Sequence, residues 1–105
     1  MQELGSFNLW LYDGRMDHEY DEQKSEQTFI QRGIDFEFAA RIFRSDCIEY
    51  EDRRAPYGEK RYVAIGPIDD GLFAVVYTWR NGRRRIISAR RASRRERRAY
   101  GLAVR

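Results

Sequence analysis

The sequence predicts a small α+β domain in which helices pack against a meander sheet of about four antiparallel strands. Three observations support this fold class. Residues 21–43 carry helix caps and an apolar period close to 3.6, residues 47–91 carry strand patterns, and residues 93–100 carry another helix signal. With 105 residues and 42 % apolar side chains, the chain suits one packed domain.

Two helices are predicted before the sheet. Asp21 is a good N-cap for a helix over residues 22–31, and Gly33 is placed to end it. Asp35 can begin a second, short helix. Its apolar residues follow at the spacing of one helical face, namely Phe36, Ala39, Ala40 and Phe43.

The predicted strands cover residues 47–51, 61–66, 72–79 and 84–91. The first alternates polar and apolar residues as an edge strand does, whereas the third is apolar throughout and therefore predicts a central strand. Asn81-Gly82 favours a tight hairpin between the last two strands, because both residues tolerate positive φ. Ser93 and Glu96 form a capping-box pattern, which predicts a last helix reaching about Tyr100.

We expect residues 1–15 to be an N-terminal extension of uncertain origin and residues 16–105 to be a single domain. Phe7–Tyr12 has the composition of a short strand, but Met16 is about equally well placed as the true start. No apolar run approaches the roughly 18 residues that a membrane span needs. A single cysteine, Cys47, excludes an intrachain disulfide and a thiolate zinc site. These features predict a cytoplasmic protein with no cofactor and no membrane partner.

The charge is strongly polarised along the chain. Residues 1–52 carry 5 basic and 13 acidic side chains, whereas residues 53–105 carry 15 and 4. Nearly all the cations are arginines, whose planar guanidinium makes bidentate contacts with phosphate and stacks on bases. The second half therefore favours a nucleic acid partner. A solvated basic face, or pairing with the acidic half, remains the alternative.

Residues 53–62 and Arg90 are the candidates for chemistry. RNA cleavage by the neighbouring 2′-hydroxyl needs a base, stabilisation of the negative charge on phosphorus and an acid for the leaving oxygen. Glu59 can be the base, and Arg61 and Arg90 can stabilise the charge. Tyr57 or Tyr62 can stack a base or donate a proton. The spacing equally fits an ordinary surface ion pair between Glu59 and Arg61.

Further residues are predicted to bind RNA without reacting: Arg53, Tyr57, Arg91, Arg94 and Arg95. The arginines of the last helix can instead simply be solvated. We expect no metal site, because Asp69-Asp70-Gly71 lacks the rest of a calcium loop and predicts a hairpin turn. His18, the single histidine, is expected to be a solvated surface group rather than a catalytic base.

Three stretches together resemble the BrnT family of type II toxins, which has the RelE-like ribonuclease fold. The stretches are Tyr20–Lys24 with Arg32–Phe43, Glu51–Tyr62, and Arg85–Arg97, with compatible spacing from about Tyr20 to Tyr100. The resemblance implies RNA cleavage without a metal, and growth arrest when the toxin is free. It also implies neutralisation by a cognate BrnA-type antitoxin, with operator DNA bound only through the toxin–antitoxin complex.

The sequence departs from this family at one position of interest. Relatives have Lys-His before the glycine, where this chain has Gln31 and Arg32. If that histidine assists proton transfer in relatives, another group replaces it here or the nuclease is weaker. The alternative function is therefore a non-catalytic nucleic-acid-binding or regulatory module, that is, a degenerate toxin.

Overall fold

A computed structural model describes residues 18–104. Its elements, in chain order, are β1 (His18–Tyr20), α1 (Glu22–Arg32), α2 (Phe36–Ala39), a 3₁₀ helix (Ala40–Arg44), β2 (Ile48–Asp52), β3 (Arg61–Ile68), β4 (Gly71–Arg80), β5 (Arg83–Arg91) and α3 (Arg94–Ala103). The α+β prediction is confirmed. The expectations for residues 1–15, including a strand at Phe7–Tyr12 and a domain boundary at residue 16, lie outside the described residues.

The sheet has five strands in the order β1-β5-β4-β3-β2. Strands β2 to β5 form the predicted antiparallel meander, with β4 in the centre and β2 at one edge. The prediction of four strands is wrong because β1 pairs in parallel with β5 at the other edge. This strand has only three residues, too few to show an alternating pattern, and an ion pair of 3.0 Å between Glu19 and Arg85 joins it to β5.

The caps of α1 are those that the sequence predicts. The Asp21 side chain accepts hydrogen bonds from the amides of Gln23 and Lys24, and Gly33 adopts φ +78° at the C-terminus. The second helix differs from the prediction, because α2 is a single turn that tightens into the 3₁₀ helix. With three residues per 3₁₀ turn, Ile42 joins the buried face of Phe36 and Ala39, and it is fully buried.

Helices cover the two faces of the sheet unequally. The α1 face, which carries Tyr62, Phe73, Val75, Tyr77 and Ile86, packs against α2, the 3₁₀ helix and their neighbours. The opposite α3 face carries a smaller cluster, formed by Val63, Ile65, Ala74, Val76 and Ala92. Part of the α3 face therefore has no helix over it.

Helix α3 begins with the predicted capping box between Ser93 and Glu96. It runs through Gly101 to Ala103, beyond the predicted end at Tyr100, and the Tyr100 hydroxyl donates to the Asp46 carbonyl at 2.7 Å. Because that contact holds the end of α3 against the loop before β2, the helix continues past its glycine. None of the helices within residues 18–104 has the length and apolar character to cross a membrane.

Two turns form as the sequence predicts, whereas the single histidine does not lie where it was expected. The Asp69-Asp70 segment forms the expected turn, with Asp69 at φ +52°, and Asn81-Gly82 forms the expected hairpin at φ +54° and +78°. The expectation of a solvated His18 is wrong. Its side chain is buried in β1, where it stacks on Tyr20 and lies 3.4 Å from a Glu37 carboxylate oxygen.

Candidate active site

Strand alternation brings a set of polar side chains to the open part of the α3 face. Tyr50 is in register with Val63, and Asp52 with Arg61, so these β2 and β3 residues share one face. On β5, Arg90 is in register with Ala74 of the same face. Arg61 and Arg90 are thus on the same side of the sheet, as the sequence hypothesis requires.

The first group is an ion pair between Arg90 and Glu96 that links β5 to α3. Two guanidinium nitrogens donate to the carboxylate at 2.6 and 2.9 Å, and the Ser93 amide donates to it at 2.8 Å. These hydrogen bonds lower the pKa of Glu96 from 4.5 to about 2, and the contribution from Arg90 is the largest. The Tyr50 hydroxyl lies 3.5 Å from the same carboxylate. Glu96 therefore stays ionised and holds Arg90 in one orientation.

The second group surrounds the buried carboxylate of Asp52. Arg54 donates to it through Nε and a terminal nitrogen, each at 2.8 Å, and the Tyr57 hydroxyl donates at 3.2 Å. The hydrogen bond from Arg54 is the main reason that the pKa of Asp52 falls from 3.8 to about 2. The Arg54 side chain is 71 % exposed, so its outer edge is accessible to a phosphate.

The third group contains Glu59, which lies between two arginines. Its carboxylate is 3.3 Å from Nε of Arg61 and 3.6 Å from a terminal nitrogen of Arg80. The Arg61 guanidinium also lies over the Tyr57 ring, 4.2 Å from its centre. Tyr57 therefore joins the second and third groups, with its hydroxyl on Asp52 and its ring under Arg61.

The three groups border one another across the open α3 face. Tyr50, Asp52, Arg54, Arg90 and Glu96 line a cleft of about 300 Å³, together with Glu51, Arg53 and Val63. A neighbouring hollow is lined by residues 51–59. The arrangement can bind phosphate at several guanidinium groups. Because Asp52 and Glu96 have pKa values of about 2, they are poor proton acceptors.

The structure brings together only part of the predicted catalytic set. Glu59, Arg61 and Tyr57 are in contact, but Arg90 pairs with Glu96 instead. Four residues along β3 and two strands across the sheet separate Arg61 from Arg90. These steps place their Cα atoms roughly 16 Å apart. The two arginines therefore lie at separate places on the α3 face and do not form one contact pair.

The predicted RNA-binding residues are divided between the two faces. Arg53 lines the cleft and pairs with Glu51 at 3.0 Å, while Arg94 and Arg95 are exposed in the first turn of α3. Arg91 is on the α1 face, where its guanidinium lies 5.1 Å from the centre of the Phe73 ring. Tyr62 is also on the α1 face, so Tyr57 is the tyrosine beside Arg61.

Tyr50 and Asp52 were not predicted as site residues. Arg54 was included in the candidate stretch 53–62 but was given no role of its own, and Glu96 was predicted as a helix cap. The alternation of β2 carried a usable signal, because residues 50 and 52 must share a face. The role of Glu96 had no such signal. It depends on where α3 crosses the sheet, and the helix places this capping residue over β5.

Arg32 occupies the position at which the sequence departs from the family pattern. Its guanidinium donates to the Ala89 carbonyl of β5 at 2.8 Å and so ties the end of α1 to the sheet. This contact approaches β5 from the helix side, whereas the Arg90 side chain points to the α3 face. Arg32 therefore serves a structural role at this position.

A family model described as "Ribonuclease toxin, BrnT, of type II toxin-antitoxin system" matches residues 20–96. No curated protein matches the chain. Within residues 18–104, no group of three or more His, Cys, Asp or Glu side chains is arranged to hold a metal ion.

Proposed function

The chain belongs to the BrnT family of ribonuclease toxins of type II toxin–antitoxin systems, and on that premise we propose that it cleaves RNA without a metal ion on the α3 face. The observation that carries the proposal is the position of Glu59 between Arg61 and Arg80, beside Tyr57. A carboxylate, guanidinium groups and a phenol hydroxyl are the groups that cleavage by the 2′-hydroxyl needs.

In the proposed reaction, Glu59 accepts the proton of the 2′-hydroxyl as that oxygen bonds to the adjacent phosphorus. The bond from phosphorus to the 5′-oxygen breaks, and the Tyr57 hydroxyl gives that oxygen its proton. The products are a 2′,3′-cyclic phosphate and a 5′-hydroxyl. Arg61 stabilises the negative charge that accumulates on the phosphorane-like transition state, which is usually the largest catalytic contribution.

Arg90 and Arg54 have a different part in this proposal. Each donates two hydrogen bonds to one carboxylate, so each guanidinium is oriented before RNA arrives. Arg90 lies on the same face as Arg61 but apart from it, and we propose that it holds another phosphate of the same RNA strand. Fixed cations lose little side-chain entropy on binding, which favours affinity and register along the strand.

We further propose that a BrnA-type antitoxin neutralises the toxin by covering this cleft. An acidic antitoxin segment would meet the arginines that otherwise bind RNA, so binding of antitoxin and RNA would be mutually exclusive. Operator DNA would then be bound only by the complex. Co-expression with the product of the neighbouring gene tests this idea: we expect the two proteins to co-purify and the mixture to lose ribonuclease activity.

The test of catalysis uses purified protein, end-labelled RNA and EDTA. We expect cleavage that persists in EDTA, is blocked by a 2′-O-methyl group at the cleaved position, and leaves a 2′,3′-cyclic phosphate. Arg61→Ala should lower the rate about 100-fold or more, and Arg90→Ala should also lower it substantially. Arg41→Ala is the matched control. Arg41 forms an ion pair of 2.6 Å with Asp69, and neither residue lines the cleft.

Two results would contradict the proposal. Cleavage that disappears in EDTA and returns with Mg²⁺ would exclude a metal-independent reaction. Tight RNA binding without any strand scission would favour the non-catalytic module instead.

A further inference from the structure

Trp79 is a large aromatic side chain that remains half exposed at the end of β4. The Arg84 guanidinium lies 4.7 Å from the centre of one of its rings, and the Tyr77 ring meets it edge to face at 5.9 Å. These two neighbours fix the orientation of the indole. An oriented aromatic surface that is open to solvent is a platform on which a flat ligand can stack.

The platform borders a hollow of about 240 Å³ that is lined by Glu59, Lys60, Tyr62, Thr78 and Trp79. Its wall therefore includes a second aromatic ring, that of Tyr62, which rests against Tyr77 at 5.7 Å. A flat, unpaired ring system is the chemistry that such a wall accepts.

Glu59 connects this hollow to the candidate active site. The same residue lines the hollow of residues 51–59 on the other side, where Asp52, Arg54 and Tyr57 are found. Trp79 and Tyr62 are on the α1 face, so a chain passing over Glu59 from the α3 face would go round the ends of β3 and β4 before it enters the space beside Trp79.

The charges around the platform favour an anionic backbone. Lys60 lines the hollow and is exposed, and Arg80 lies 3.6 Å from Glu59 with about half of its side chain exposed. Cations that follow a backbone beside an aromatic surface are the usual elements of a site for single-stranded nucleic acid.

We infer that Trp79 stacks an unpaired base of the RNA, on a nucleotide next to the phosphate that reacts at Glu59 and Arg61. The inference rests on the proposed function, since it takes RNA as the substrate. It adds a subsite on the other side of Glu59, and it requires the substrate to be single-stranded there. If Trp79 only covered Arg84 and Tyr77, replacing it would lower the stability of the protein. Its effect on RNA affinity would then not depend on whether the base is present.

The experiment combines protein variants with abasic RNA. The cleavage position is first mapped on all-RNA oligonucleotides with the wild-type chain, which tests the proposed function separately. Binding is then measured with oligonucleotides carrying a 2′-deoxy residue at that position, so that they are not cut. Abasic nucleotides replace each base flanking the bond in turn. The protein variants are Trp79→Leu, Trp79→Phe and, as an exposed aromatic control on α1, Phe29→Leu.

We expect Trp79→Leu to raise Kd by roughly 5- to 150-fold, the range for loss of one stacked base. Trp79→Phe should retain most of the affinity, and Phe29→Leu should leave it unchanged. One abasic position should weaken binding of the wild-type chain by a similar factor but should have little effect on Trp79→Leu. That non-additivity is specific to direct stacking.

A fluorescence measurement covers the case in which a Trp79 variant fails to fold. The chain has two tryptophans, so Trp10→Phe leaves Trp79 as the single one. Stacking should quench its emission when intact RNA binds, and less so with the abasic RNA. Equal abasic penalties in the wild type and in Trp79→Leu, or emission that RNA does not change, would overturn the inference. Cleavage together with either result would leave the proposed function standing.

Discussion

Replacing Glu96 with glutamine tests whether this carboxylate holds the cleft together. Glutamine is nearly the same size, and its side-chain oxygen can still accept the Ser93 amide in the capping box. It cannot give Arg90 a charged partner, and its NH₂ group would face the guanidinium donors. Glu96→Gln therefore removes the ion pair while retaining the helix start.

The expected cost follows from the pKa of Glu96, which is about 2 in the folded protein against 4.5 without its partners. A difference of this size corresponds to at most about 3 kcal/mol, at about 1.4 kcal/mol per pKa unit. Solvent at the cleft reduces that value, so we expect a loss of about 2 kcal/mol at pH 7. Such a loss is a large fraction of the stability of a small domain.

The pH dependence has a definite sign. Because folding lowers the pKa of this carboxyl, its contribution is fully present above pH 4.5 and is lost as the pH falls towards 2. The free energies of unfolding of the wild type and Glu96→Gln should thus differ most at pH 7 and by less than half as much at pH 3. Urea titrations followed by tryptophan fluorescence at both pH values measure this difference.

Asp69→Asn is the control for this experiment, since Asp69 forms an exposed ion pair with Arg41. It should cost between about 0 and 1 kcal/mol. An equal loss for Glu96→Gln at pH 3 and pH 7 would refute the reasoning, because the effect would then come from packing or the helix cap rather than from the charge. A loss below that of the control at pH 7 would refute it as well.

Two further predictions concern the hydroxyl of Tyr57 and the hairpin after β4. Tyr57→Phe should keep RNA affinity, because the ring still lies under Arg61, but should slow single-turnover cleavage about 100-fold or more; an unchanged rate would exclude the hydroxyl as the proton donor. Gly82→Ala should lower the free energy of unfolding by about 1 kcal/mol, since φ is +78° and a Cβ atom there meets no neighbour within 4 Å. Urea titration measures this loss, and a variant as stable as the wild type would show that alanine accepts this backbone conformation without cost.

Local signals in the sequence predicted most of the fold. The caps at Asp21 and Gly33 and the turn at Asn81-Gly82 each depend on a few adjacent residues, so their chemistry could be read directly. The short strand β1 could not be predicted this way. It exists because Glu19 and its neighbours pair with a strand more than sixty residues later, and three residues carry no pattern of their own.

The candidate site was predictable to the extent that it is local. Tyr57, Glu59 and Arg61 are close in the chain, and their contacts follow from that spacing. The partner of Arg90 was not found, because α3 had to be placed over β5 before Glu96 could be recognised as more than a cap. Arg91 was grouped with Arg90 by adjacency, but neighbours on a strand point to opposite faces.

The parallel pairing of β1 with β5 also bears on how the chain is made. This pairing brings together Glu19 and Arg85, which are 66 positions apart in the chain. At about 5–20 residues per second, a ribosome needs roughly 3 to 13 s to pass from one to the other. During that interval β1 has no partner strand, and Arg32 has no Ala89 carbonyl to bind. Arg90 and Glu96 are made later still, so the cleft between β2 and α3 can be completed only after nearly all of residues 18–104 have been made.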